Sequence, residues 1–311
     1  MPAPRPDLAP DPSLSRDEME TMQREIARSA VFADDLDFDP SLLGDPLARA
    51  TADAQAASAR STTESRPDAD AAEPADPPLV AGVDQSFLLE QDRALSAIVV
   101  LQPAGSEWDV VERVHAVTPL EIPYIPGLLS FREGGAILAA IEELSVEPDL
   151  YVFDGSGRIH FRQAGIATHM GVVLDAPSIG VAKSLLCGEP VASTDGLAAG
   201  ERVAIEANAD VEGPDEIEGE GGESADAVNV AAADDTSTDD PDWPTIGYAV
   251  QTKQYDSPNR HVNPLIVSAG HRVSATTAAD VALAFAAGYK LPEPTRLADA
   301  YADEVKEEYL R

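Results

Sequence analysis

Apolar positions along the chain change period several times, and each change marks an element. Residues 80–87 (VAGVDQSF), 94–102 (ALSAIVVLQ) and 109–117 (DVVERVHAV) are apolar or alternating runs with short polar turns between them. That pattern predicts three consecutive strands in a meander. After the proline-bearing loop TPLEIPYIPGLLS at 118–130, the stretch FREGGAILAAIEEL sets Ile137, Leu138, Ile141 and Leu144 on one helical face. A strand follows at 150–154, then a helix near 163–174 and a strand at 178–183. Further on, IGYAVQTK and NPLIVSAG read as two strands joined by a polar loop. SATTAADVALAFAAG is a helix running from Ser274 near its N-cap to Gly288 at its C-cap, and TRLADAYADEVKEEYL makes the last helix. The order βββ-α-β-α-β predicts an α/β fold, a mixed central sheet flanked by helices.

Two stretches break the periodicity. Residues 1–12 are rich in Pro and Asp, after which Ser15 and Glu18 form a capping box that opens a helix near 16–29. Met19, Met22 and Ile26 make an amphipathic stripe on it, suited to packing on the main domain. From about 34 to 78 the sequence turns to Ala, Asp, Ser, Thr and Pro, which cannot bury enough surface to fold. Residues 1–78 are therefore expected to be an N-terminal extension with one helix and an acidic linker, and 79–311 the catalytic domain. Within that domain, 193–242 is acidic, Gly/Ala-rich and aperiodic, and is expected to be a disordered insertion.

Charge sharpens this division. The 311 residues carry a formal charge of −35, with 16 acids against one base in 193–242 and 17 against seven in 1–78. Four lysines stand against 17 arginines. Such a composition suggests a proteome adapted to molar salt, a mesophilic chain with two acidic tracts being the alternative. At about 1 M salt the Debye length is roughly 3 Å, so an acidic body does not forbid a polyanionic ligand. Binding would then rest on metal, shape and short-range contacts, because counterion release contributes little. The single cysteine, Cys187, excludes an intramolecular disulfide and a cysteine-based zinc site, and fits a reducing compartment. No apolar run of membrane-spanning length occurs, and the N-terminus lacks a secretory signature. A cytoplasmic location is expected.

Chemistry concentrates around YVFDGSGRIH at 151–160. An apolar run ends in Asp154, and open α/β sheets place ligands beyond strand carboxyl ends. Gly155 and Gly157 permit close backbone approach to a large anion, although a strand ending in a turn would look the same. Asp84 interrupts the first strand with an acid, and Glu133 opens the first core helix, where the helix dipole alone would favour it. Together the three carboxylates form the oxygen-rich set that Mg²⁺ prefers. Lys183 ends a strand and is the sole lysine before residue 253. Its compact charge suits a scissile phosphate better than an arginine fork would. His160 follows Asp154 closely enough to share its cleft, His169 reads as structural, and His271 is evenly balanced between the two. In PYIPGLL two prolines stiffen a loop around Tyr124. Tyr124 either packs inward or stands out as a wedge between bases, the device an enzyme needs to hold open the gap left by an extruded base.

AGVDQS, PYIPGLLSFRE, DGSGRIHFRQAGIATHMG, PSIGVAKS, NPLIVSAGHRVS and LPEPTRLAD, in that order, resemble the endonuclease V family over roughly 79–192 and 243–301. The resemblance implies a ribonuclease-H-like fold and a Mg²⁺-dependent endonuclease, with Mn²⁺ as a possible substitute. Its substrate would be DNA containing deoxyinosine, cut at the second phosphodiester 3′ to the lesion. Some members cut inosine-containing RNA. It further implies that Asp84 and Asp154 bind metal, that Glu133 is a third catalytic acid with a possible metal contact, and that Lys183 is catalytic or touches phosphate. Tyr124 becomes the wedge, Gly127, Leu128, Gly155 and His160 line the base pocket, and His271 stands near the metal. Phe161 replaces a proline common in the family, and Gln85 an apolar residue. A monomer is expected. Within the enzyme class the rival is an inosine-specific ribonuclease; from another class it is a non-catalytic nucleic-acid-binding or interaction protein, against which the four reacting groups argue.

Overall fold

The computed structural model describes residues 3–43, 77–104, 107–213, 217, 243–255 and 260–310. β1 (Val80–Leu88), β2 (Arg93–Ala104) and β3 (Glu107–Pro119) form the expected antiparallel meander. Then come α2 (Leu129–Glu142), β4 (Leu150–Asp154), α3 (Ile166–Leu174) and β5 (Ser178–Ala182), with α1 (Arg16–Ser29) preceding them all. β6 (Glu189–Pro190), β7 (Arg202–Glu206), β8 (Thr245–Val250), β9 (Leu265–His271), α4 (Ala275–Ala284) and α5 (Glu293–Tyr309) complete the chain. Among the described residues the strands make one sheet in the order β3-β2-β1-β4-β5-β9-β8-β7-β6. β1, β4 and β5 run parallel at its centre, while β9 is antiparallel to β5. This is the ribonuclease-H-like mixed sheet with flanking helices that the resemblance implies.

Alternation along the strands divides the core into two layers. Ala81, Val83, Tyr151 and Phe153 face α2 and α3, where they meet Ile137, Ile141, Ile166 and Met170. Val80, Leu150, Val152, Ile179 and Val181 point to the other face, over α4 with its Ala278, Val281 and Ala282. α5 covers the same face further along, its Ala302 and Val305 against Leu95 and Ala97 of β2. Because side chains alternate with period two, each even-numbered residue of β1 and β4 belongs to the α4–α5 side.

Three expectations about boundaries are corrected here. Residues 193–242 are not wholly outside the fold: Arg202–Glu206 is a strand paired with β8, and Val203 and Ile205 pack with Ile159, Ile246 and Ala249. Acidic flanks hid a five-residue alternation from any average over composition. The expected linker start at 34 also lies within ordered structure. Leu36, Phe38 and Leu43 join the core over α4, and the Asp34 carboxylate accepts hydrogen bonds from the Ser274 backbone N–H and the Thr277 hydroxyl, each 2.7 Å. α4 stops at Ala284, with Phe285 as its cap, short of Gly288. The rest of the expected linker, 44–76, and 214–216 and 218–242 of the expected insertion lie outside the described residues.

Candidate functional site

Parallel strands bring their carboxyl ends to one edge, and here that edge is acidic. Val83 of β1 is in register with Phe153 of β4, which sets Asp84 beside Asp154. Both are even-numbered and project to the α5 side. α5 is close because Gly82 has no side chain: a Cβ there would collide with the Pro294 carbonyl. About one and a half turns beyond Pro294, α5 presents Asp299. One carboxylate oxygen from each of Asp84, Asp154 and Asp299 lies within 4.8 Å of the other two. Asp299 does not stand out in the sequence, being an acid on a helix that looks like any solvated face. A signal was there, since Asp299 follows Thr295 by four and precedes Ala302 by three, both buried.

Asp84 is only 7% exposed. It is no surface acid at an edge, because β1 lies between β2 and β4. Burial, and then the charge of Asp154, push its pKa up to about 8. Like charges crowded into a desolvated corner want a cation, and an oxygen-only donor set is the kind hard divalent ions take. Lys183, just past β5, hydrogen-bonds Asp154 Oδ2 through Nζ at 2.7 Å. Burial disfavours its ammonium, yet the hydrogen bond and charge of Asp154, with Asp84 and Asp299 behind, hold its pKa above the ordinary lysine value. Glu133, on α2, is 5% exposed, and burial pushes it up to about 8 against the pull of Arg132. Arg132 itself lies over the Phe87 ring and donates to the Ile122 carbonyl at 3.1 Å.

The proline loop is held from beneath. Ile122, Ile125 and Leu128 pack with Phe131 against Met19 and Met22 of α1. That anchoring leaves Tyr124 67% exposed, so it does not pack into the core. Gly127 takes φ +79°, a conformation only glycine adopts without strain. Its carbonyl accepts from Gln23 Nε2 at 2.7 Å and from His160 Nε2 at 3.1 Å. The other ring nitrogen of His160 accepts the Arg162 backbone N–H at 3.1 Å. His160 is thus a neutral Nε2–H tautomer, its pKa lowered to about 4 chiefly by burial. It joins the Gly127 and Arg162 walls rather than facing the carboxylates. Gly155, at φ +154°, leads away from Asp154; a Cβ there would press on Ile166 at 2.5 Å.

His271 is a correction. It pairs with Ser178 at the start of β5, three residues before Val181, which stands beside Asp154. It therefore sits at the far end of the strands from the carboxylates. Its Nδ1 accepts from the Val31 backbone N–H at 3.1 Å, and Nε2 faces Asp175 Oδ1 at 3.4 Å. His169 is structural: Ser130 Oγ at 2.9 Å and the Leu8 carbonyl at 2.8 Å take both its nitrogens.

Comparisons bear on this arrangement. A family model described as Endonuclease V matches residues 62–300. An endonuclease V of Haloarcula marismortui is 53% identical over 303 residues, covering 97% of this chain and 96% of its own. One from Halobacterium salinarum is 47% identical over 305 residues, covering 97% and 98%. The solved endonuclease V of Streptomyces avermitilis matches with a TM-score of 0.62 at 27% identity, covering 96% and 95%. Endonuclease V of Ciona intestinalis, solved with a 24-mer DNA containing an inosine followed by a ribo-adenosine, has a TM-score of 0.60 at 21% identity, covering 94% and 98%.

Proposed function

The chain belongs to the endonuclease V family, and from that membership we propose that it incises DNA at deoxyinosine, cutting the second phosphodiester 3′ to the lesion with Mg²⁺. The observation that carries this reading is the convergence of Asp84, Asp154 and Asp299 from two strands and a helix, with Lys183 against them. Asp84 and Asp154, joined by Asp299, would hold the ion; Mn²⁺ offers similar demands and is expected to substitute. When bound, such an ion lowers the pKa of a coordinated water and neutralises charge growing on the phosphate.

The chain's own groups do the rest. Lys183 places a fixed positive charge at the rim of the cluster, where it gains value as phosphate oxygens become more anionic in the transition state. Glu133 holds a proton readily in its buried setting, which fits a proton carrier beside the reacting phosphate. Tyr124, exposed on a braced loop, would fill the gap left by an extruded base. Gly127, Leu128, Gly155 and His160 would shape the pocket for hypoxanthine, with His160 acting through its bond to Gly127. Residues 79–311 would form the catalytic unit, with 1–78 as an extension whose helix braces the loop, and the protein would work as a monomer.

The test is cleavage of matched labelled duplexes in MgCl₂ and high KCl, one with a single deoxyinosine, one with inosine in RNA and one with neither. Incision one nucleotide beyond the deoxyinosine supports the reading. Cleavage of RNA alone moves the same residues to RNA metabolism, and cleavage of the unmodified duplex at the same rate overturns lesion recognition.

A further inference from the structure

Lysine is scarce in this protein, and its placement is not random. Arginines such as Arg24, Arg162, Arg202 and Arg272 are taken up in ion pairs that hold elements together. Among the described residues Lys183 pairs with a carboxylate of the acidic cluster, Asp154. Lys306, on α5, reaches Ser86 Oγ at 3.1 Å, two residues along β1 from Asp84. Lys290 is tied in through its backbone, whose carbonyl accepts from Thr252 Oγ1 at 2.5 Å. Thr252 follows Gln251, which lines a cavity of about 560 Å³ together with Lys183, His261 and Asn263. Lys253, the next residue, puts its Nζ 5.7 Å from the ring centre of Tyr289, and Arg296 lies 4.5 Å from the same ring. Tyr289 is 52% exposed beside these two cations, of which Arg296 is also paired with Glu293. In a chain with 17 arginines and a net charge of −35, Lys183 thus touches the acidic cluster, Lys306 reaches β1 two residues beyond Asp84, and Lys290 lies near enough to Lys183 to feel its charge.

We propose that Lys253 and Lys290, with Tyr289 beside Lys253 and Arg296, form a binding track for the nucleic-acid strand flanking the scissile phosphate, beyond Lys183 and the cavity it lines. The inference rests on the nuclease reading of the acidic site. A compact ammonium is a point charge that meets a phosphate oxygen from any direction, whereas a guanidinium demands a planar partner. Neither Lys253 nor Lys290 is ion-paired with a carboxylate among the described residues; both are half-buried, and Lys253 rests its ammonium over the rings of Tyr255 and Tyr289. Burial, and then the charge of Lys183, hold the Lys290 ammonium below the ordinary lysine range, the condition of a cation that an incoming phosphate would relieve. An exposed tyrosine flanked by cations is also a platform on which a base stacks without sequence preference. In the cavity wall, Gln251 is already satisfied, donating to the Lys253 and Val262 carbonyls at 2.6 and 2.8 Å.

The test is binding of a fluorescent deoxyinosine duplex and of an unmodified single strand. The full-length protein carries Asp84→Ala in every sample, so that nothing is cut, and KCl is varied over the range where the fold persists. Lys253→Gln with Lys290→Gln is expected to weaken both ligands by roughly tenfold and to lower the slope of log K against log[salt] by about 1.4 to 1.8, as loss of two phosphate contacts requires. Lys253→Arg with Lys290→Arg should restore most of the slope. Arg113→Gln, on the opposite edge strand, removes charge without touching the track and should leave the slope unchanged. Equal slopes for the glutamine pair and its parent would overturn the track, as would an equal effect of Arg113→Gln, which would reduce it to net charge. Failure of the nuclease reading is seen separately, as absence of cleavage by the protein with Asp84 intact.

Discussion

At the scale of single residues, the site works by forcing charges together. Asp84, Asp154 and Asp299 can share their corner only with protons or with a cation. Asp84→Ala or Asp154→Ala is therefore expected to abolish cleavage, by about a thousandfold or more, since several kcal/mol of charge stabilisation go with the ion. Lesion binding should partly survive; full cleavage by both variants, measured on labelled duplex, would remove them from the site. Tyr124 is 67% exposed and has little burial to lose, so Tyr124→Ala should leave thermal stability nearly unchanged and weaken lesion-duplex binding. About 1–3 kcal/mol of stacking is at stake, and unchanged affinity in a titration would deny it a wedge role. His169 provides a pH signature. Burial lowers its pKa to about 4, against about 6.5 for an unfolded histidine, so between those values the unfolded chain binds a proton the folded one refuses. Its stabilising contribution is then complete above about pH 6.5 and lost as pH falls through 4. The stability gap between the protein and its His169→Gln variant, from urea curves, should shrink from pH 7 to pH 5; a constant gap would mean that the histidine has the same pKa in the folded and unfolded chain.

At the scale of elements, α1 connects an N-terminal extension to the loop that carries Tyr124. Its stripe of Met19 and Met22 supports Ile122, Ile125 and Leu128, while Gln23, 1% exposed, bridges the Gly127 carbonyl and Arg162. Ile26, fully buried on the same helix against Leu8 and Val172, anchors it to α3. Ile26→Ala should cost roughly 2–5 kcal/mol, the range for emptying a buried aliphatic site. Since a loosened α1 also frees the loop, lesion affinity should drop with it. A stability loss with affinity intact would mean that the loop is rigid by its prolines alone. The approach of α5 to β1 depends in the same way on Gly82, which lets the helix come near enough for Asp299 to meet Asp84.

At the scale of the whole molecule, acidity and lysine depletion match those of a salt-adapted lineage, and the relatives from Haloarcula marismortui and Halobacterium salinarum place the chain there. No helix among the described residues is long and apolar enough to cross a membrane. We expect cleavage and fold to persist near 1 M KCl, where surface carboxylates are screened within roughly 3 Å. A protein that unfolds in high salt yet is stable in low salt, followed by circular dichroism, would contradict this. Saturating Mg²⁺ should also raise the melting temperature, because an ion bound only by the folded state adds about 2.7 kcal/mol at a hundred times its Kd. That gain should vanish in Asp154→Asn.

How much of this was legible beforehand follows from the range of the interactions. The strands of the meander, β4, β5 and the helices announce themselves through local periodicity; Asp154 and Lys183 stand out as charges that end apolar runs, Asp84 as an acid that interrupts one, and Glu133 as an acid before an apolar helical face, although α2 starts at Leu129 and leaves it beyond the first turn. Those are properties of neighbours in the chain, so the sequence alone determined them. β7 escaped because its five residues earn their place only by pairing with β8, some forty residues away. Asp299 escaped, and His271 was misplaced, because membership in the site depends on which ends of strands and helices share an edge. The antiparallel run of β9 carries His271 away from the carboxylates, and the missing side chain of Gly82 lets α5 bring Asp299 to them. Such distances are decided by packing between segments far apart in sequence, and only the tertiary structure contains them.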